Sequence, residues 1–474
     1  MDSSNGTKTF SSVPEESSPG PACFAQARDS SAEERSNQAV RIISVAPTRV
    51  QADSRTLKIA ISLARFGYES VIVEGGLSHL PHLKSVQLIS MDSLPRPSQG
   101  RHEDSRSGVK ESLLEALPQR RSLLESTRRI LAQVLPSVVK RLAWCLFRAG
   151  YAIWKQLSIS LILPLRFVPR GSLYYLHAPY QFPGVFLRAL IHRAPIIYDA
   201  HDFYSGIDEG RGNWTPIRRA VGRFHDAVEA VCVRRAAAVV TVSQSVAELI
   251  QKTYEREAAV VRNCHDHRLD RHVSAGIRET LNLGDRDFLV VAVGQAKPGA
   301  AVGEAVEALR ELPENVHLAF LGRGFESRLT SCAAAEGDRL HIVQPVGPDE
   351  VVPFIRSASA AVVLYYPRSP NYAGCLPNGF FQSVAAGLPI LYPELKEILA
   401  LAEEYGLGIP IDPRSPASIV SGVAALLEDR SRYRELCENV RRASDALSWE
   451  HEEHRLARIV REVQRTREER RTRM

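Results

Sequence analysis

The sequence lacks a hydrophobic stretch that could cross a membrane, because no apolar run reaches about 18 residues without a charge. Its seven cysteines form no C-x-x-C pair and no zinc-type spacing, and their odd number fits a reduced protein better than a disulfide framework. The amino-terminal residues also lack the hydrophobic core of a secretion signal. We therefore expect a cytoplasmic protein, with the inner face of the membrane as the one place of lipid contact.

The sequence also has little net charge. Lys and Arg number 60 against 54 Asp and Glu, a net charge of +6 over 474 residues, which is too mild to indicate a nucleic-acid binder. The exception is residues 118–170, where ten basic side chains face one acid, Glu125. Residues 138–167 add aromatics, so two readings stay open. One is an amphipathic helix in an anionic membrane interface; the other is a helix packed on a sheet with its charges in water.

Short β-branched runs alternate with helical patterns over most of the chain, which is typical of parallel α/β sheets. A break rich in His, Arg and Asp at residues 265–287 divides them into two series. We therefore predict an α/β protein of two Rossmann-like, doubly wound domains facing a cleft. The predicted divisions are a disordered arm, a first Rossmann-like domain, a second Rossmann-like domain and a carboxyl-terminal helix that returns to the first domain, at residues 1–38, 39–268, 269–446 and 447–474.

Four segments follow one another along the chain. They are a strand with a terminal His at residues 196–204, a strand with a serine and a helix at 236–250, an Asn-Cys-x-Asp motif within 260–266, and a helix followed by Ala-x-Gly-x-Pro at 377–390. In this order they resemble the retaining glycosyltransferases of the glycosyltransferase-B fold, of the family-four type that uses nucleotide-sugar donors. Cys264 stands where that family usually has Gly, and Trp449 stands where its final helix begins. The resemblance covers roughly residues 39–460.

The resemblance implies a catalytic role for His201 beside the reacting sugar; a buried His bonded to a neighbouring carbonyl is the alternative. Because the leaving group is a diphosphate, the donor site needs backbone N–H groups at a helix N-terminus and nearby cations. The helix that opens at Pro377 and Asn378 suits the first need. The candidate donor-binding residues are Gly294, Lys297, Val346, Asn378 and Gln382.

On the acceptor side, Asp53 and Arg55 follow the first strand, where the family's acceptor loop lies; a helix cap at Asp53 is the alternative. A run of histidines and aspartates resembles a metal cluster, namely His265, His267 and His272 with Asp266 and Asp270, but it falls in the interdomain linker, so we expect no metal. No cofactor is expected to be required besides the nucleotide-diphosphate sugar, which is the donor substrate.

Several positions depart from the family pattern. The family's two donor-site glutamates correspond to Gly374 and Gln382, its Lys after Pro-Asn to Gly379, and its Arg to Ala300 or Ala301. Lys297 is then the only cation left in its loop. Each charge-assisted phosphate bond is worth about 1.5 to 3 kcal/mol, so losing two weakens donor binding by about a hundredfold or more unless Lys297 compensates.

These features predict transfer of a hexosyl group, with retention, to a saccharide or lipid-linked acceptor in surface polysaccharide or glycolipid assembly. A catalytically silent homologue that binds a nucleotide sugar or a partner enzyme stays open as a second class. A nucleotide-sugar 2-epimerase of the same fold has less support, because we find no carboxylate set for proton abstraction. A partner nucleic acid is not expected, and a peripheral membrane contact stays open.

Overall fold

The computed structural model contains two parallel sheets, one built from each series of β-branched runs. It describes residues 40–76, 78, 80, 85–91, 144, 147, 150–204, 216–329 and 337–473. Two predicted features lie outside the described residues: the arm, residues 1–38, and the first part of the basic segment, residues 118–143.

The first sheet has seven strands in the order β3-β2-β1-β4-β5-β6-β7. They are β1 (Arg41–Ala46), β2 (Glu69–Glu74), β3 (Val86–Ser90), β4 (Leu173–Leu176), β5 (Ile196–Ala200), β6 (Ala238–Thr241) and β7 (Ala259–Val260). The α-helices are α1 (Ser54–Arg65), α2 (Leu163–Phe167), α3 (Phe182–His192), α4 (Pro216–Arg235) and α5 (Gln244–Tyr254). Residues 150–157 are also helical and lead through the π turn Ser158–Ile162 into α2. Single 3-10 turns span Val50–Ala52 and Pro179–Gln181.

The second sheet has six strands in the order β10-β9-β8-β11-β12-β13. They are β8 (Phe288–Gln295), β9 (Val316–Arg323), β10 (Leu340–Val343), β11 (Ala360–Val362), β12 (Ile390–Pro393) and β13 (Gly408–Ile411). Its helices are α6 (Ile277–Thr280), α7 (Val302–Glu311), α8 (Val351–Ile355), α9 (Pro370–Ala373), α10 (Asn378–Ala385), α11 (Lys396–Tyr405), α12 (Pro416–Glu428) and α13 (Arg430–Ala446). Further 3-10 turns span His267–Leu269 and Gly337–Arg339, and α14 (Trp449–Thr472) ends the chain.

Both sheets are doubly wound, as predicted, because every strand pair is parallel and the central strands are buried on both faces. Strand order reverses between β1 and β4 in the first sheet and between β8 and β11 in the second. In open α/β sheets, ligands bind beyond the carboxyl ends of strands at such reversals. The residues after β1, β4, β8 and β11 are therefore the first place to look for a site.

The last helix returns to the first sheet. Trp449, the first residue of α14, is fully buried in a cluster with Ile42 of β1 and Ile59 of α1. Its indole nitrogen donates to the hydroxyl of Ser62 at 2.8 Å, and its backbone N–H donates to the carbonyl of His265 in the linker at 2.8 Å. These bonds fix the linker and the final helix against the same side of the first domain.

Lys58 is a buried cation at this junction. Its ammonium group lies 4.9 Å from the centroid of the Trp449 ring and donates to the carbonyl oxygens of Asn263, at 3.4 Å, and Cys264. Burial lowers the pKa of Lys58 to about 7, and the nearby Arg55 adds to that effect. The folded protein therefore holds this lysine proton less tightly than the unfolded chain does.

This difference predicts a pH dependence of stability. Between the folded pKa of about 7 and the unfolded value of about 10.4, the unfolded state binds more protons, so the free energy of unfolding rises with pH. Lys58→Met should remove about 2 kcal/mol of that rise between about pH 7 and pH 9, measured by urea unfolding. Lys252→Met, at an exposed position on α5, serves as the control. Parallel pH curves for Lys58→Met and the unsubstituted protein would refute the assignment.

Candidate functional site

A buried charge network lies where β4 and β5 end. Asp199 of β5 is fully buried and accepts hydrogen bonds from Arg55, from Nε to Oδ2 at 3.0 Å and from the second terminal nitrogen to Oδ1 at 2.8 Å. Arg55 also donates to the carbonyl of Val261 at 2.8 Å. Two histidines approach the same Oδ2, with Nδ1 of His177 at 3.4 Å and Nε2 of His201 at 3.2 Å.

The network sets the charges of its members. Burial would raise the pKa of Asp199, but Arg55 and His201 outweigh it, so that pKa lies well below its usual range. Burial would lower the pKa of His201, but Asp199 outweighs it and the pKa of His201 is raised. For His177 burial prevails over Asp199, and its pKa is lowered. Asp199 is therefore ionised, and His201 accepts a proton more readily than His177.

His201 faces the cleft with one ring nitrogen. Its side chain is 22% exposed, whereas those of His177 and Asp199 are fully buried. Nε2 is engaged by Asp199 and lies 3.3 Å from Nδ1 of His177. Among the described residues Nδ1 of His201 has no hydrogen-bond partner, so it is the atom left for a ligand. The predicted alternative, a His bonded to a backbone carbonyl, is not what this part of the structure contains.

The two predicted acceptor-side residues have different positions. Asp53 caps α1, accepting from the backbone N–H of Thr56 at 3.2 Å and from its hydroxyl at 2.7 Å. Burial would raise the pKa of Asp53, but His201 and His177 outweigh it and the pKa is lowered. Arg55 is 2% exposed, so the expectation that it touches an acceptor needs correction. Its guanidinium is buried against the Asp199 carboxylate, so Arg55 acts through that residue.

On the second domain, the end of β8 and the loop after it carry two of the predicted donor-binding residues, Gly294 and Lys297. Gly294 has φ +150°, and a Cβ at Gly322 of β9 would lie 1.7 Å from the carbonyl oxygen of Gly294, so both strands end in close backbone approach. Tyr365 donates to the carbonyl of Gln295 at 3.2 Å. Lys297 follows and is exposed. The loop therefore has a fixed backbone and one solvent-facing ammonium group.

The helix α10 begins directly beside this loop. Asn378 is its first residue, and Gln382 lies one turn later on the same face, half-buried. A Cβ at Gly379 would lie 2.3 Å from the carbonyl oxygen of Val293, so the first turn of α10 rests on the end of β8. Because the first N–H groups of a helix have no intrahelical acceptor, this end carries partial positive charge toward the cleft.

Side chains do not fit at Gly374 and Gly379, the positions where the family resemblance implies a glutamate and a lysine. At Gly374 a Cβ would lie 2.4 Å from Cβ of Ser245 on the first domain, and its carbonyl accepts from Ser243 at 3.0 Å. At Gly379 a side chain would meet backbone. A glutamate at the first position or a lysine at the second would therefore require the backbone to move. Both substitutions belong to a closer packing of the helix and loop, rather than to loss of charge alone.

Hydrogen bonds across the cleft join the two halves. The side chain of Asn371 in α9 pairs with both backbone groups of Phe203, two residues after His201, accepting from the N–H at 3.0 Å and donating to the carbonyl at 3.0 Å. The amide of Asn263 donates to Oδ1 of Asn378 at 2.7 Å. The loop that carries His201 is thus held by a residue of the donor-side domain.

Cys375 marks the shared space between the halves. Burial raises the pKa of its thiol to about 12, with Asp202 raising it further and Lys297 opposing. Asp202, which follows His201 in the chain, and Lys297 therefore act on one thiol from the two domains. The structure therefore brings His201, Gly294, Lys297, Asn378 and Gln382 to the facing edges of the two sheets. Val346 instead follows β10 at the outer edge, partly packed in the core.

Among the described residues, two groups have ligand atoms close enough for a metal: His177 with Asp199 and His201, and His265 with His267 and Asp270. In the first, both Asp199 oxygens already accept from the Arg55 guanidinium, whose positive charge opposes a second cation. In the second, Asp270 pairs with His265 at 2.6 Å and with His267 at 3.5 Å, and it lies in the linker beside Arg356, at 4.0 Å.

Sequence reasoning missed His177 and Asn371. His177 follows directly after a strand, and Asp199 ends a run of apolar residues, so each carried a usable signal: a buried charge needs a partner. Asn371 carried none, because its partner Phe203 lies 168 positions away on the other domain.

Two parallel α/β domains of seven and six strands that face each other define the glycosyltransferase-B fold. No family model matches the chain, and no curated protein matches its sequence. Sucrose-phosphate synthase from Thermosynechococcus elongatus is similar in structure, with a TM-score of 0.61, 15% identity and coverage of 90% of this chain and 100% of that one. HepE from Anabaena, solved with UDP and glucose, has a TM-score of 0.58 and 13% identity, with coverage of 89% of this chain and 100% of that one. WaaG, a glycosyltransferase of lipopolysaccharide biosynthesis, has a TM-score of 0.56 and 14% identity, with coverage of 88% of this chain and 99% of that one.

Proposed function

We propose that the chain is a glycosyltransferase that moves a hexosyl group, with retention, from a nucleotide-diphosphate sugar to a saccharide or lipid-linked acceptor in surface polysaccharide or glycolipid assembly. The observation that carries this proposal is the facing arrangement of the α10 N-terminus and Lys297 on one domain with His201 on the other, bridged by Asn263 and Asn378 at 2.7 Å. The α10 N-terminus and Lys297 suit a diphosphate, and His201 suits the sugar beside it.

The similar structures add support from their ligands. HepE has been solved with UDP and with UDP-glucose, and WaaG acts in lipopolysaccharide biosynthesis. Both are similar to this chain over nearly their whole length. UDP-glucose is therefore the first donor to test, ahead of GDP- and ADP-sugars.

In the proposed reaction the bond between the anomeric carbon and the diphosphate oxygen breaks as the acceptor oxygen bonds to the same face of that carbon. The acceptor proton passes to the departing phosphate oxygen, so no external base is consumed. Backbone N–H groups of α10 and the Lys297 ammonium take up the charge on the nucleoside diphosphate. In the neutral form of His201, Nε2–H donates to Asp199, which fixes the ring, and the lone pair of Nδ1 stabilises the positive sugar.

Lys297→Ala should weaken donor binding by about tenfold to a hundredfold, because one charge-assisted hydrogen bond to phosphate is worth about 1.5 to 3 kcal/mol. Isothermal titration calorimetry with UDP-glucose measures it. Lys252→Ala, which removes an equal charge on α5, should leave the Kd unchanged. A donor affinity equal in both variants would remove Lys297 from the site.

A catalytically silent homologue is the second candidate, favoured by the close packing at Gly374 and Gly379, which leaves no room for the glutamate and lysine that the family resemblance implies there. It differs from the first in one measurement. The silent homologue binds donor but releases no nucleoside diphosphate in a coupled assay, with or without a panel of saccharide and lipid-linked acceptors.

A peripheral membrane contact would suit a lipid-linked acceptor. No helix among the described residues is long and apolar enough to cross a membrane. The helical residues 150–167 pack against α3, and Lys155, Arg166 and Arg188 lie on these two segments. Both segments expose apolar side chains, namely Ile153, Trp154, Leu157, Leu187, Leu190 and Ile191. This combination matches an anionic membrane surface. Equal flotation with neutral and with anionic vesicles, or none with either, would contradict it.

A further inference from the structure

A basic cavity of about 440 Å³ lies in the first domain on the side away from the cleft. It is bounded by the amino ends of β1 and β4, the last residue of α3 and the carboxyl-terminal part of α14. Because parallel strands point their carboxyl ends at the cleft, their amino ends mark the opposite edge of the sheet. The charged residues in its wall are Arg41, Arg170, His192, Arg467, Glu468 and Arg471.

Hydrogen bonds hold the wall in place. A terminal nitrogen of Arg467 donates to the carbonyl of Ser172 at 2.7 Å, and the N–H of Ser172 donates to the carbonyl of Arg41 at 2.7 Å. Nδ1 of His192 lies 2.6 Å from the hydroxyl of Tyr174, which leaves Nε2 without a partner among the described residues. The cavity is therefore formed before any ligand arrives.

The wall carries uncompensated positive charge. Arg41 is paired with Glu69, but no carboxylate of the described residues lies within ion-pair distance of Arg170, Arg467 or Arg471. Glu468 is the acid among the described wall residues. Burial and then the charge of Arg471 lower the pKa of Arg467, with Glu468 opposing. Like charges are therefore held together here, and an anion would relieve their repulsion.

Two buried donors lack acceptors at the same place. Nε of Arg467 and Nε2 of Gln464, both in residues of the cavity wall, have no hydrogen-bond partner among the described residues. Buried donors in folded proteins nearly always find an acceptor, so unmatched ones call for an explanation. An anion drawing on the Arg467 guanidinium would supply acceptor oxygens to this wall.

We propose that this cavity binds a phosphate group, as a phosphomonoester or phosphodiester, at a site separate from the donor cleft. An arginine guanidinium can donate two parallel hydrogen bonds to phosphate oxygens. Besides the paired Arg41, three arginines line the space: Arg170, Arg467 and Arg471. Leu190 and Ile191, 57% and 69% exposed, directly precede His192. A phospholipid headgroup with its apolar part against α3 and a soluble phosphate ester share this chemistry. The proposal does not depend on the glycosyltransferase assignment.

Calorimetric titration with inorganic phosphate in a chloride buffer tests the site. Arg170→Gln with Arg471→Gln should weaken binding by about tenfold or more, since two charge-assisted bonds are lost. The matched control, Arg193→Gln with Arg470→Gln, removes the same charge from positions outside the cavity wall and should stay within about twofold of the unsubstituted protein. No saturable phosphate binding, or equal losses in both double variants, would overturn the proposal.

Flotation with phosphatidylcholine vesicles, alone or containing phosphatidic acid, identifies the source of the phosphate. Selective binding to phosphatidic acid that the Arg170 and Arg471 substitutions abolish supports a lipid headgroup. Retained phosphate binding without any vesicle binding supports a soluble ester at the same site. Vesicle binding that survives in both double variants, together with no phosphate binding, sinks the cavity as a site for either.

Discussion

His201→Ala is expected to lower kcat for glycosyl transfer by about a hundredfold to a thousandfold, with a smaller change in KM. The side chain faces the cleft with Nδ1 and is fixed through Nε2 by Asp199 at 3.2 Å, so it is preorganised for charge that develops only in the transition state. In the proposed site the donor diphosphate binds on the other domain, so KM should respond less. Transfer from UDP-glucose, followed by release of UDP, measures both constants.

His272→Ala is the control, because His272 is an exposed histidine of the linker. His201→Asn retains a polar side-chain amide near the same place and should recover part of the loss. Should kcat for His201→Ala equal that of His272→Ala, His201 would not be part of the mechanism. Slow donor hydrolysis that survives the substitution unchanged would point the same way.

Asp199→Asn is expected to destabilise the protein by about 3 to 5 kcal/mol, since it leaves the Arg55 guanidinium buried without its counter-charge. Arg55 is 2% exposed and has no route to solvent that would lessen the penalty. The same substitution removes the carboxylate that keeps the pKa of His201 raised, so the pH profile of transfer should shift to lower pH. Urea unfolding and a pH–rate profile measure the two effects.

Asp202→Asn provides the matched control: it neutralises an exposed carboxylate three residues along the chain and should change stability by less than about 0.5 kcal/mol. The double change Arg55→Met with Asp199→Asn should cost less than Asp199→Asn alone, because no buried charge is left unpaired. If Asp199→Asn and Asp202→Asn unfold at the same urea concentration, the buried pair is not what holds this part of the sheet.

The alternation of apolar runs and helical patterns was enough to predict two doubly wound sheets, because the period of buried strands is local information. The strand β3 escaped, since VQLIS lies between polar segments and only partly buries its side chains. The His at residue 201 and the donor helix were found through a motif. What could not be predicted was pairing over distance, such as Arg55 with Asp199, 144 positions apart.

The substituted donor positions have acquired a physical account that the sequence could not provide. Gly374 and Gly379 read as lost charges, yet each is a point where backbone or a side chain of the neighbouring element leaves no space for a Cβ. The candidate donor site therefore relies on the end of α10 and on Lys297. Such a site should bind nucleotide sugars more weakly and with stronger salt dependence than one with several cations.

The central claim is that the facing edges of the two domains form one nucleotide-sugar site. Hydrogen–deuterium exchange with and without UDP tests it directly. The account predicts protection of backbone amides in the loop after β8, in the first turn of α10 and in the loop that carries His201, weakened together by Lys297→Ala. Protection confined to other parts of the chain, or none at saturating UDP, GDP and ADP, would contradict the account.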